Sequence, residues 1–206
     1  MAFTPLLRGE LHRAALWVAI PAAVALVIHA DGPAAVLGAT VFGTALVGLL
    51  TTSAVYHTVV TTPATRLWAR RADHAAIFVF IGATYLPVCL LALPRTIGLP
   101  LLAFISLGAA IGAGAKLSCL QLGVRRVSWL YTALGATAVV SLPWLELDPF
   151  RLGLMVGGGL VYGAGGLALL TNRPNPHPPV FGYHEVWHAA TIVAMTAHFL
   201  VIWSIT

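Results

Sequence analysis

Long apolar stretches alternate with short polar punctuation along the whole chain. Seven of them, 14–30, 34–56, 73–93, 97–115, 127–145, 150–171 and 184–204, run about 17 to 23 residues each. That length crosses a hydrocarbon core of about 30 Å when helical. The breaks carry turn signals: Asp31-Gly32-Pro33, a polar loop over 58–72, Leu93-Pro94-Arg95, 121–126, 146–149, and 172–182 with its four prolines. Pro21 falls inside the first and shortest span, where it predicts a kink. The pattern predicts an all-α membrane protein, one seven-helix transmembrane domain over 1–206.

Composition strengthens this picture. Hydrophobic residues make up 59% of the chain and charged residues 8%, with a mean hydropathy of +0.92. Soluble domains carry about 25% charged residues. A net charge of +5 would suit nucleic acid, but its placement argues for membrane orientation instead. With the N-terminus cytoplasmic, Arg8, Arg13, Arg66, Arg70, Arg71, Lys116, Arg125, Arg126 and Arg173 fall inside, and only Arg95 and Arg151 fall outside. That is the positive-inside pattern of a multi-pass protein in the cell membrane, and it alternates loop by loop. Arg8, Arg13 and the following apolar run are expected to be a first span, since no small-x-small cleavage site precedes Asp31. Cys89 and Cys119 lie in apolar runs and are expected to be buried free thiols.

Topology then places the histidines. Even-numbered spans end at the cytoplasmic face and odd-numbered spans begin there. His57 closes the second span, Asp73 and His74 open the third, and His184 and His188 open the seventh. Two histidines four apart share one helix face. With Glu185 between them they spell H-E-x-x-H, a zinc-site motif of soluble proteases. Catalytic zinc takes three protein ligands and a water in a tetrahedron. His57, His184 and His188 would supply three nitrogens. Asp73, costly as an ion at a membrane helix end, would bind the metal or its water. Ser53 lies four residues before His57 on the same face, within reach of the metal water or an oxyanion. The alternative for each histidine alone is a polar packing contact; for Asp73 it is a helix N-cap.

These residues resemble the progestin and adipoQ receptor family in its bacterial hemolysin III branch. The resemblance is carried by Ser53-Ala-Val-Tyr-His57, by Asp73-His74-Ala-Ala-Ile77-Phe78 running into Gly82-Ala-Thr-Tyr85-Leu-Pro87, and by His184-Glu-Val-Trp-His188 with His198-Phe199. It implies seven helices with the N-terminus inside and a zinc held by His57, His184 and His188. It also implies Asp73 near the metal water and Ser53 adjacent. Relatives more often read Ala-Gly-Thr-Tyr-Thr-Pro at 82–87, a departure that touches packing of the third span. The family is grouped with alkaline ceramidases, which implies metal-assisted hydrolysis of a membrane lipid or amide. The substrate would enter sideways from the bilayer, and Asp73 would accept a proton while Ser53 steadies the oxyanion.

Other polar residues are expected to play supporting parts. Glu185 lies about 100° around the helix from His184, facing solvent or supporting the ligands. His74 is expected near the interface, and His198, about 15 Å deeper than His188, in a core contact. His12, His29 and His177 fall in termini or loops. The glycines from Gly153 to Gly163, and Gly108 with Gly112, predict close helix contacts. Membrane lipids are the expected partners and nucleic acid is not. The rival classes are a non-enzymatic sensor or pore-forming cytolysin with a structural zinc, and an intramembrane zinc protease. The protease reading fits poorly, because such enzymes place the motif early and the aspartate later.

Overall fold

A computed structural model describes residues 5–118 and 124–206. Cys119 and the break over 121–123 lie outside the described residues, and so do the side chains of Arg125 and Arg126. The described chain is helical throughout: α1 (Glu10–His29), α2 (Pro33–Ala54), α3 (Pro63–Leu91), α4 (Arg95–Leu117), α5 (Val124–Ala136), α6 (Ala138–Ser141), α7 (Pro149–Thr171) and α8 (Tyr183–Ile205). In hydrocarbon every backbone polar group must be satisfied within the protein, and a helix does this along its whole length. Six of these helices are long and apolar enough to cross a membrane.

The helix starts follow local chemistry. Pro33, Pro63 and Pro149 occupy the first turns of α2, α3 and α7, where the missing N–H costs nothing. The Asp148 carboxylate caps α7 by accepting from the N–H groups of Phe150 and Arg151 at 2.9 and 3.1 Å. Thr62 caps α3. This start corrects the loop expected over 58–72: most of it is an exposed extension of α3. Asp73 therefore sits ten residues inside the helix rather than capping it.

The fifth expected span is interrupted. Its residues form α5, then α6, then a 3₁₀ turn at Leu142–Trp144. The segment nonetheless runs beside α3 along its length. Tyr131 donates to the His74 carbonyl at 2.8 Å, Tyr85 donates to the Gly135 carbonyl at 2.8 Å, and the Glu146 N–H bonds the Ala92 carbonyl at 2.9 Å. From Leu117, at the far end of α4, the chain thus returns to the end where α3 meets α4.

The core lies where α1, α2, α3 and α8 converge, around Leu26, Phe42, Leu50, Phe80 and Ile202. The glycine expectation holds in part. Gly112 packs on Phe78, Gly108 on Leu134 and Gly158 on His198, whereas Gly153, Gly157, Gly159 and Gly163 face open space. Those four show why spacing alone misleads: in a lipid-facing helix small residues are tolerated on every side, so only contact reveals an interface.

Candidate metal centre

The His57, His184 and His188 side chains meet. Each offers a ring nitrogen, and these atoms lie within 4.8 Å of one another. The ring centroids are 4.9 Å apart for His57 and His184, 5.1 Å for His57 and His188, and 4.6 Å for His184 and His188. α8 starts at Tyr183, so His184 and His188 fall in its first two turns on one face. His57 arrives differently. After Ala54 the chain widens into a π-helical turn, Val55–Val59, which carries it. Such turns recur at functional sites because they re-aim one side chain.

The arrangement fits a metal ion. The Nε2 atoms of His57 and His184 face each other at 3.3 Å, and the buried Nδ1 of His188 has no hydrogen-bond partner among the described residues. A buried nitrogen without a partner is costly, and nitrogens converging on one point suit a shared cation. The donor set, neutral imidazoles, is what first-row divalent metals accept.

Behind the histidines runs a polar chain. The His12 Nδ1 lies 2.8 Å from the Ser53 hydroxyl and its Nε2 lies 3.1 Å from Thr191 Oγ1. Thr191 donates onward to the His188 carbonyl at 2.8 Å. With the Thr191 proton so engaged, a neutral His12 donates from Nε2 and accepts from Ser53 at Nδ1. Its ring stacks on His188, with centroids 4.0 Å apart and planes 10° from parallel. The Asp73 carboxyl, itself buried, adjoins the Ser53 hydroxyl. Asp73 thus joins this polar chain through Ser53 and lies outside the group of mutually close ligand atoms.

Two expectations are corrected here. His12 is not a terminal or loop residue: it is 3% exposed in the first turn of α1. A lone histidine with no partner at helical spacing gave no signal of this. Glu185 is 0% exposed and so does not face solvent. One carboxylate oxygen pairs with Arg8, and the other accepts from the Gly182 N–H at 2.8 Å. Thus the glutamate of H-E-x-x-H holds the start of α8 through both of its oxygens. Of the remaining histidines, His198 donates to the Met155 carbonyl at 3.1 Å, the core contact expected of it. His29 stacks on Trp203 where the end of α1 meets that of α8.

The structure defines a multi-pass helical membrane protein with a trihistidine group able to hold a metal ion. The chain belongs to the haemolysin-III-related family, whose model matches residues 2–199. It is 28% identical to a Bacillus cereus protein named Hemolysin-3 over 176 residues, covering 83% of this chain and 77% of that one. It is 25% identical over 193 residues to a Bacillus subtilis (strain 168) Hemolysin-3 homolog, covering 91% and 87%.

Proposed function

We propose that the protein is a zinc-dependent hydrolase of a membrane lipid or amide, crossing the bilayer seven times with its N-terminus in the cytoplasm. The observation that carries this reading is the convergence of His57, His184 and His188 on one point. The seventh crossing is the interrupted α5–α6 segment, supported by its run beside α3 from the level of His74 to that of Ala92.

A zinc ion in that group would supply Lewis acidity and a water acidic enough to ionise near neutral pH. The chain's own part is proton handling. Amide hydrolysis adds the oxygen of water to the carbonyl carbon and delivers a proton to the departing nitrogen. Asp73 takes up and returns that proton, with Ser53 linking it to His12. The single Ser53 proton serves only one of its two neighbours at a time, so it can pass a proton along or steady a developing oxyanion. An apolar groove of about 810 Å³ between α2, α3 and α4 favours lateral entry of a lipid. Thr52 and Ala72 line it, each one residue before Ser53 and Asp73.

A second reading takes the relatives' printed name at its word: a cytolysin, its metal structural. That reading needs four protein ligands, with Asp73 as the fourth. The place of Asp73 beside Ser53 favours the hydrolase. Metal analysis of the purified chain, paired with hydrolysis of a short-chain ceramide and with lysis of liposomes, separates the two. Wild-type protein without zinc, or a His57→Ala/His188→Ala variant that keeps it, overturns the metal reading. Liposome lysis without hydrolysis overturns the enzymatic one.

A further inference from the structure

The segment Pro5–Gly9 lies across the start of α8 as a strap. The Leu6 and Leu7 N–H groups bond the carbonyls of Pro179 and Val180 at 3.2 and 3.3 Å. Gly9, at φ 82°, lies so close to His57 that a Cβ there would fall 2.5 Å from the His57 Cβ. Between these anchors Arg8 enters the protein, its side chain 22% exposed, and pairs through Nε with the fully buried Glu185.

Neutralising Glu185 is a sufficient reason for a positive charge here, but not for the rest of the guanidinium. Arginine has five N–H donors in a planar fork. Only the Nε contact is met among the described residues. The two terminal nitrogens remain, and Arg8 lies within electrostatic range of His57, His184 and His188 together.

Charge sharpens the point, on the reading that the trio holds a divalent ion. The imidazoles are neutral, Arg8 and Glu185 cancel, and Asp73 offers at most one negative charge. With its water un-ionised, the loaded site would carry a net positive charge in a setting where unbalanced charge is expensive. An anion held by the free edge of Arg8 would balance it. Arg66, 5.5 Å from the Tyr56 ring, adds positive charge beside the turn that carries His57.

We propose that Arg8 is a recognition residue for the phosphate group of the site's ligand, a phosphate-bearing lipid headgroup or free phosphate. Arg8 contacts this group bidentately, a geometry lysine does not reproduce. The inference rests on the metal reading above and is tested apart from it. The full chain is placed in phosphatidylcholine nanodiscs and its metal content measured. Inorganic phosphate is then titrated by calorimetry, and phosphatidic acid added to the discs in a second arm.

Wild-type protein is expected to bind phosphate, and Arg8→Lys to bind it about tenfold or more weakly at unchanged metal content and thermal stability. Glu185→Gln, which removes the competing carboxylate, is expected to bind it more tightly. Competition by phosphatidic acid assigns a lipid headgroup; binding indifferent to it assigns free phosphate. Absence of binding in both arms, an Arg8→Lys affinity equal to wild type, or weaker binding by Glu185→Gln overturns the proposal. Wild-type protein devoid of metal counts against the metal reading, whereas metal-loaded protein indifferent to Arg8→Lys counts against this inference alone.

Discussion

His188 and His198 stand on the same helix, ten residues apart, and both are buried with an Nδ1 that finds no partner among the described residues. Their surroundings separate them. Around His188 gather two imidazoles that offer lone pairs to a common point, with a third, His12, stacked on its face. His198 meets the Met155 carbonyl, the Tyr162 ring 5.7 Å away, and the flat surface of Gly158. The Tyr162 hydroxyl is also without a partner among the described residues. A buried histidine is therefore not a ligand by virtue of burial or of an idle nitrogen. What distinguishes the first region is the number of donors aimed at one spot, brought there by helices far apart in sequence.

That contrast can be broken most sharply by metal content. His57→Ala/His188→Ala is expected to abolish bound metal, while His198→Ala leaves it at the wild-type level; elemental analysis of the purified proteins decides it. Next in size, Asp73→Asn is expected to retain the metal but lower hydrolysis by about 100-fold or more, as loss of a general base does. Loss of metal in that variant would instead make Asp73 a ligand. Third, Glu185→Ala leaves Arg8 without its counter-charge and is expected to lower unfolding stability by about 3 kcal/mol. Arg8→Met added to it should recover most of that loss in the same denaturation experiment. Smallest, Gly158→Ala places a Cβ 2.7 Å from the His198 ring. It is expected to cost about 1 kcal/mol through overpacking and to leave metal content untouched.

The trihistidine group was readable because two of its members share the i, i+4 spacing of one helix and the loop charges place the third on the same side. Helical structure was readable because hydropathy sets it directly. The rest depended on contacts between distant residues. His12 joins the site only because α1 packs against α8, and Arg8 meets Glu185 across 177 positions. The π turn that aims His57 leaves no mark in Val-Tyr-His-Thr-Val that an ordinary helix end would lack. The longer α3 is a different case. Thr62 followed by Pro63 is a capping residue before a favoured first-turn proline, yet Arg66, Arg70 and Arg71 made the stretch look like a loop. In α5 the aromatic and small residues read as one continuous span, and the break at Thr137 appears only where Tyr85 and Tyr131 fix the segment against α3.

The strap over α8 also bears on how the site is completed. Leu6 and Leu7, ahead of α1, bond to Pro179 and Val180, and two of the three imidazoles of the trio belong to α8. The trio is therefore complete only once α8 docks beside the helices that precede it. Metal occupancy would thereby report that docking, and a variant truncated before Tyr183 forfeits the site whatever the state of its earlier helices.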